Sequence, residues 1–242
     1  MSRFLHAALL PIMLAIVPTL AAEPTTKPIP PAGNWGVKQV LVGERDAPHI
    51  LLIGDSILNG YNGQAAATLH GQVSLDVWIT PEHVGSKSVP DKLKQICADQ
   101  SYDLVLFNDR GLHAWQAGRI PEGQYEPLLR AHVADLRKFA PKAKLIFATT
   151  TPILTKTKPF ALDPERDPII EQRNQIAIRV MKEENIPVAD FYEAVAGRPE
   201  LSAGDSFHWT KPAYALIAQL AVGRIAEALD LKMANTQPAV SK

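Results

Sequence analysis

The sequence predicts a three-layer α/β/α fold, in which a doubly wound parallel sheet of five strands carries helices on both faces. Runs of branched apolar residues alternate strictly along the chain with helical patterns, as in flavodoxin-like folds. The run at residues 50–53 is apolar at every position, which is typical of a strand buried on both faces. The chain has 242 residues, 46% of them apolar and 21% charged, which suits one sizeable globular domain.

The strand over residues 50–53 lies between Pro48 and Gly54, which bound it as turn residues do. Four further strands are predicted over residues 73–79, 102–107, 144–149 and 186–191. Helical patterns cover residues 64–69, 89–97, 124–139, 169–184 and 211–231. Because ligands of doubly wound sheets bind beyond the carboxyl ends of the strands, we expect the functional residues to follow strands.

The two ends of the chain are predicted to lie outside the folded domain. Residues 1–22 combine a basic residue, an apolar run and small residues at the end, as a secretory signal peptide does. A membrane anchor is the alternative, but the run is short and prolines interrupt it. Residues 23–33 form a Pro-rich linker, residues 34–232 the domain and residues 233–242 a disordered tail. The predicted product is periplasmic or secreted, with no integral membrane anchor after cleavage.

Composition argues against several classes of partner. The chain carries 25 Lys and Arg against 25 Asp and Glu, without a basic run that would follow a nucleic-acid backbone. Cys97 is the only cysteine, so no internal disulfide is available. The sequence has no Cys-x-x-Cys and no histidine pair at helical spacing, so we expect neither a metal nor a cofactor.

Ser56 follows the first predicted strand in the stretch Gly54-Asp55-Ser56-Ile57. One interpretation is a helix cap, because aspartate and serine both cap helix N-termini well. The other is a nucleophile, because a serine on a strand-to-helix turn lies beside free backbone amides that stabilise an oxyanion. Leu58 takes the place of the second glycine in Gly-x-Ser-x-Gly, which disfavours an ordinary α/β-hydrolase.

Four other residues could complete a nucleophilic site. Asp205 precedes His208 by three residues, close enough to orient the imidazole, although a turn and a satisfied histidine would also fit. Asn108 ends the third predicted strand, where it offers side-chain amide hydrogens or simply forms a turn. Gly85 follows the second strand and either exposes its amide to a substrate or is an ordinary loop glycine.

These blocks, in this order and approximate spacing, resemble the SGNH hydrolase superfamily, also called GDSL esterases and lipases. Phe107-Asn108, Gly111-Leu112-His113 and Asp205-Ser206-Phe207-His208-Trp209-Thr210 look like an exported bacterial branch of it. The resemblance implies the SGNH hydrolase fold, with Ser56 as nucleophile, His208 as general base and acid, and Asp205 as its partner. It also implies an oxyanion hole made of the Ser56 amide, the Gly85 amide and the Asn108 side chain. Asp55 is then left to brace the turn.

Further side chains near the predicted edge are candidates for substrate binding. His113 and Trp115 follow the third strand, and Trp209 adjoins His208. The long connection over residues 150–168 is rich in Lys, Pro and Asp and could overhang the site.

The sequence therefore predicts an exported serine esterase that works through an acyl-enzyme. The expected substrate is a small acyl ester or an acylated carbohydrate, with deacetylation of an O-acylated carbohydrate preferred. One alternative is a lysophospholipase or short-chain lipase on the same triad. A second is a catalytically idle glycan-binding module.

Overall fold

A computed structural model describes residues 36–116 and 119–233 of the chain. The strands are β1 (Gly36–Leu41), β2 (His49–Gly54), β3 (Ser74–Ile79), β4 (Leu104–Phe107), β5 (Lys144–Ala148) and β6 (Val188–Ala189). The helices are α1 (Ser56–Leu69), α2 (Val89–Asp99), α3 (Gly111–Ala114), α4 (Tyr125–Phe139), α5 (Asp167–Glu183), α6 (Phe191–Ala196) and α7 (Lys211–Leu229). The predicted signal peptide and linker lie outside the described residues, as does the predicted tail beyond residue 233.

The strands form one sheet in the order β1-β3-β2-β4-β5-β6. Strands β2 to β6 are parallel to one another, which confirms the predicted α/β fold and its five parallel strands. Ile53 of β2 pairs with Phe107 of β4, and Phe107 pairs with Phe147 of β5. The carboxyl ends of the three central strands are therefore level, so the loops that follow them open on one edge.

Strand β1 is a sixth strand that the sequence did not predict. It runs antiparallel to β3 at the edge of the sheet. Among its six residues only Val37 is buried, and polar residues Lys38 and Gln39 occupy its centre. A strand of this kind lacks the apolar run that identified the others, because it lies at the edge of the sheet and most of its residues are only partly buried.

The sheet separates two apolar layers. Ile50 and Leu52 of β2 pack into the layer that contains α1, α6 and α7. Leu51 and Ile53 pack into the layer that contains α2, α4 and α5. Since successive residues of a strand point to opposite faces, this alternation explains why β2 is apolar throughout.

Helix α1 begins at Ser56, directly after Asp55, whereas the helical pattern had been predicted only past Gly63. Gly60 lies inside the helix because α7 packs closely there, and a Cβ at Gly60 would overlap the ring of Tyr214. Among residues 36–116 and 119–233, the helices are all too short or too polar to cross a membrane.

Candidate active site

Ser56 is held at the carboxyl end of β2 by the start of α1. Asp55 is the N-cap of the helix, and its Oδ1 accepts a hydrogen bond of 2.9 Å from the Ile57 amide. Ser56 is the first helical residue and is partly exposed. Asp55 therefore caps the helix, and the hydroxyl of Ser56 is not needed for capping.

Ser56, His208 and Asp205 form a hydrogen-bonded chain. The Oγ of Ser56 lies 2.8 Å from Nε2 of His208. The Nδ1 of the same ring lies 2.5 Å from Oδ2 of Asp205. A carboxylate at Nδ1 favours the tautomer with its hydrogen on that nitrogen, which leaves Nε2 as a base for the serine hydroxyl.

The carboxylate of Asp205 is oriented by its own loop. Its Oδ1 accepts hydrogen bonds from the backbone amides of Phe207, at 3.0 Å, and His208, at 2.8 Å. Burial acts to raise the pKa of Asp205, but the hydrogen bonds from His208 and Phe207 outweigh it, so the pKa lies below its ordinary value. Asp205 is therefore ionised at neutral pH and suited to stabilise an imidazolium.

The connection over residues 150–168 supports this catalytic loop rather than only overhanging it. Ser206 has a left-handed backbone, with φ of 80°, which is uncommon for a residue other than glycine. Its Oγ accepts a hydrogen bond of 3.1 Å from Nη2 of Arg166, and its carbonyl accepts one of 2.9 Å from the Leu154 amide. The turn between Asp205 and His208 is thus held in place by Arg166 and Leu154, which lie in the connection over residues 150–168.

Asn108 lies at the end of β4, and each polar atom of its side chain has a protein partner. Its Nδ2 donates to the carbonyl of Ala148 at 2.8 Å and to Oγ1 of Thr150 at 3.3 Å. Its Oδ1 accepts a hydrogen bond of 2.7 Å from the amide of Arg110. An oxyanion would have to share or replace the partners of Nδ2, so the oxyanion role of Asn108 stays a prediction.

Thr150 connects Asn108 to a buried polar network. Its Oγ1 donates to Oδ1 of Asp109 at 3.0 Å, and Oδ2 of Asp109 accepts a hydrogen bond of 2.8 Å from the Tyr125 hydroxyl. The backbone of Thr150 is paired in both directions with the side-chain amide of Asn174, at 2.9 and 2.8 Å. The position of Asn108 therefore depends on groups from β5, α4 and α5.

Gly85 lies in the loop after β3, as predicted. Its amide donates a hydrogen bond of 3.1 Å to Nδ1 of His83, a ring that is almost fully buried. Burial, followed by the charges of Arg110 and Arg119, lowers the pKa of His83, so the ring is a neutral acceptor near pH 7. The Gly85 amide is thus occupied in this structure, and its place in an oxyanion hole also stays a prediction.

Solved structures of the same architecture are found at low sequence identity. One is a member of the lipolytic protein G-D-S-L family from Veillonella parvula, with 17% identity over 72% of this chain and 96% of that one, and a TM-score of 0.56. Another is Axe2, an acetylxylan esterase from Geobacillus stearothermophilus, with 18% identity, 78% and 97% coverage, and a TM-score of 0.58. A third is a GDSL-like lipase from Bacteroides thetaiotaomicron, with 19% identity, 75% and 89% coverage, and a TM-score of 0.56.

The chain has the SGNH hydrolase fold. No protein-family model matches the sequence, and no curated protein matches it. The likeness therefore rests on three-dimensional structure.

Within the SGNH hydrolase fold, His113 is placed on the short helix α3 beside the nucleophile turn. Its Nε2 lies 4.0 Å from Oδ2 of Asp55, and its side chain is 29% exposed. Burial lowers the pKa of His113, although the nearby Asp55 acts to raise it. The helix is anchored by Arg173 of α5, which donates a hydrogen bond of 2.6 Å to the Ala114 carbonyl. A substrate contact by His113 fits this position and stays a prediction.

The two predicted tryptophans differ in position. Trp115 is partly exposed, and the guanidinium of Arg166 lies 5.9 Å from its ring centroid. Trp209 is only 3% exposed and packs in the core layer of α1 and α7. The prediction that Trp209 binds substrate is therefore corrected, because its ring points into the core even though its neighbour His208 is in the triad.

The sequence analysis missed two residues that the structure places beneath the site. Asn174 reads in sequence as one polar position on helix α5, and Arg110 as a loop residue after Asn108. Neither has a local motif, because Arg110 pairs with Glu82 and Asn174 with Thr150, which lie at distant positions in the chain. Among the described residues, no group of three His, Cys, Asp or Glu side chains is arranged to hold a metal ion.

Proposed function

We propose that this protein is an exported serine esterase that hydrolyses a carboxylic ester through an acyl-enzyme, with an O-acetylated carbohydrate as substrate. The hydrogen-bonded chain from Ser56 through His208 to Asp205 carries the proposal. This arrangement is the one that nucleophilic acyl transfer by serine requires. Export is proposed from the leader-like residues 1–22.

The two half-reactions follow from this geometry. The Ser56 oxygen attacks the ester carbonyl carbon while its proton passes to Nε2 of His208. The tetrahedral intermediate collapses, the bond to the alcohol oxygen breaks, and the alcohol takes the proton from His208. Water then gives a proton to His208 while its oxygen attacks the acyl carbon. The bond between that carbon and the Ser56 oxygen breaks, and His208 returns the proton to Ser56, which releases the acid and restores the hydroxyl.

The negative charge of each tetrahedral intermediate needs hydrogen-bond donors. The proposed donors are the Ser56 amide at the start of α1, the Gly85 amide and Nδ2 of Asn108. A helix N-terminus favours an anion, and preorganised donors contribute strongly in a site from which water is excluded. Gly85 and Asn108 would exchange their present acceptors for the oxyanion as the intermediate forms.

Exposure of the triad supports a substrate whose acyl group is carried by a large soluble molecule. The side chains of Asp205 and His208 are 52% and 38% exposed, so a bulky alcohol could approach the serine. Among the described residues, the exposed large apolar side chains are Val42, Leu162 and Ile178, which offers little surface for a lipid. The acetylxylan esterase of the same fold is consistent with this substrate class.

The test is hydrolysis of an aryl acetate and of acetylated polysaccharides by the purified mature chain. Ser56→Ala should lower kcat by about a thousandfold or more, because the nucleophile is lost. The matched control is Ser101→Ala, an exposed serine outside the site, which should leave the rate unchanged. Equal activity of Ser56→Ala and the wild type would refute the mechanism.

The alternatives predict other outcomes of the same experiment. Faster hydrolysis of octanoyl than of acetyl esters would favour a lysophospholipase or short-chain lipase. Failure of a fluorophosphonate to add covalently to Ser56 would favour an idle glycan-binding module. Acetyl release together with labelling that Ser56→Ala abolishes is the result we expect.

A further inference from the structure

Arg110 is a fully buried cation beneath the candidate active site. It follows Asp109 at the end of β4, precedes α3, and has a left-handed backbone with φ of 59°. Its exposed fraction is 0%, which makes it one of the largest side chains in the protein to be completely buried. Removal of a guanidinium from water costs several kcal/mol unless the protein supplies partners, so its contacts indicate what it does.

The guanidinium of Arg110 joins two loops that follow different strands. Its Nε donates a hydrogen bond of 2.7 Å to the Glu82 carbonyl, in the loop after β3. Its Nη1 donates a hydrogen bond of 2.7 Å to the Asn108 carbonyl, in the loop after β4. The planar, rigid fork of donors in arginine suits such a bridge better than the single ammonium of lysine.

The bridge at Glu82 reaches Gly85 through a tight turn. The Ser86 amide donates to the His83 carbonyl at 2.8 Å, and the His83 amide donates to Oγ of Ser86 at 3.1 Å. The Gly85 amide donates to the ring of His83 within the same turn. A shift of Glu82 would therefore move the Gly85 amide with it.

Arg110 also orients the side chain of Asn108. The backbone amide of Arg110 donates to Oδ1 of Asn108, while its guanidinium holds the carbonyl of the same asparagine. With Oδ1 fixed, the orientation of Nδ2 is fixed as well, because the carboxamide is planar. Arg110 thus controls one proposed oxyanion donor directly and the other through the turn.

The surroundings of Arg110 keep it charged. Burial lowers its pKa to about 10, while Asp109, Asp55 and Glu82 act to raise it, so the guanidinium stays protonated at neutral pH. The ring of Trp78 lies 5.8 Å from its central carbon. Its Nη2 is buried without a hydrogen-bond partner among the described residues, so not every donor of the guanidinium is used in the resting protein.

We propose that Arg110 is a positioning residue that locks the loops of Gly85 and Asn108 at the separation an oxyanion requires. The proposal rests on the proposed function, because it assigns a role in the same acyl transfer. A residue that only stabilised the fold would change the amount of active protein. A residue that positions the donors changes the rate of the chemical step at each intact Ser56.

The test compares wild type, Arg110→Met and Arg110→Lys in two assays. The first is kcat and KM for an aryl acetate, with active sites counted by a fluorophosphonate. The second is the rate constant for phosphonylation of Ser56 at saturating reagent, which also forms charge on the oxygen held by the donors. Arg137→Met is the control, since Arg137 is an exposed arginine of α4 that pairs with Glu184.

Arg110→Met should lower both kcat per active site and the phosphonylation rate by about 10- to 100-fold, with KM within about threefold of wild type. Arg110→Lys keeps the charge without the planar fork and should give intermediate values. Arg137→Met should match the wild type in both assays. Values of a folded Arg110→Met within about threefold of wild type would overturn the proposal.

Folding is checked by thermal unfolding of every variant. If Arg110→Met does not fold, Arg110→Lys decides, and rates per site equal to wild type would overturn the proposal. If neither variant folds, the role is structural and the proposal is also overturned. Phosphonylation of wild-type Ser56 without acetate release would refute the proposed substrate but leave the phosphonylation test of Arg110 intact.

Discussion

Asn174 offers a direct test of the packing beneath the site, because its one side chain pairs with both the backbone amide and the backbone carbonyl of Thr150 in the loop after β5. Its Oδ1 accepts a hydrogen bond of 2.9 Å from the Thr150 amide, and its Nδ2 donates one of 2.8 Å to the Thr150 carbonyl. Both residues are almost fully buried. Asn174→Ala removes both partners at once and leaves the two backbone groups of Thr150 unpaired.

The expected loss of stability follows from the unpaired amide and carbonyl of Thr150. Each buried backbone donor or acceptor left without a partner costs about 1–3 kcal/mol, so Asn174→Ala should lower the free energy of unfolding by about 2–6 kcal/mol. The control is Gln175→Ala, an exposed neighbour on α5, which should change the free energy of unfolding by about 0.5 kcal/mol or less.

Urea unfolding followed by circular dichroism measures both variants against the wild type. Activity provides a second readout, because Oγ1 of Thr150 lies between Nδ2 of Asn108 and Oδ1 of Asp109. We expect Asn174→Ala to lower kcat as well as stability. A loss of less than about 1 kcal/mol would refute the reasoning, since a buried amide and a buried carbonyl cannot both lose their partners at so small a cost.

Three further predictions concern other parts of the fold. Gly60→Ala should lower the free energy of unfolding by about 1–3 kcal/mol, because the added Cβ would overlap the Tyr214 ring. Gly63→Ala on the same helix has open space around the added Cβ and should raise the free energy of unfolding by about 0.5–1 kcal/mol. Equal effects of the two variants in urea unfolding would contradict this. Burial, followed by the charge of Arg110, holds the pKa of His132 well below its ordinary value. Because the unfolded chain then binds a proton at this histidine more readily than the folded chain, the free energy of unfolding falls by about 1.4 kcal/mol per pH unit as the pH drops below about 6.5. From pH 7.5 to pH 5, the stability of His132→Leu should therefore rise relative to that of the wild type, and parallel stability curves would refute the assignment. Arg166→Met removes a donor to the middle of the catalytic loop and should lower kcat per active site by about 3- to 10-fold, which an unchanged kcat at full labelling of the nucleophile would contradict.

The parallel strands could be predicted because burial on both faces leaves a direct record in sequence. All of β2 from Ile50 to Gly54 is buried, and its side chains alternate between the two core layers. Strand β1 left no such record, because it lies at the edge of the sheet, where only Val37 is buried and Lys38 and Gln39 interrupt the apolar residues. The start of α1 was also missed, because Gly60 and Gly63 lower helix propensity and only packing against α7 explains the first of them.

The triad could be predicted from sequence for a similar reason. Asp205 and His208 are three residues apart, so their pairing is local, and Ser56 stands at a strand end that the sheet topology places at the functional edge. Arg110 and Asn174 could not be predicted, because their hydrogen bonds reach loops 28 and 24 residues away and no local pattern encodes such a pairing. Burial also gives no clue, since a buried arginine is rare enough that composition argues against it.

The candidate site therefore combines exposed triad side chains with a buried, hydrogen-bonded support beneath them, and substitutions in these two parts should have different effects. Asp205 and His208 are accessible, so a substrate can differ in the shape of its alcohol without a clash in the core. Arg110, Asp109 and Asn174 are buried and hydrogen-bonded, and such networks lose much of their value when one member changes. Substitutions of exposed residues around the triad, as distinct from Asp205 and His208 themselves, should act mainly on KM, and substitutions in the buried support mainly on kcat. On the proposed function, the exposed residues around the triad are thus free to change substrate preference, while the buried support keeps the proposed oxyanion donors in place for the chemical step.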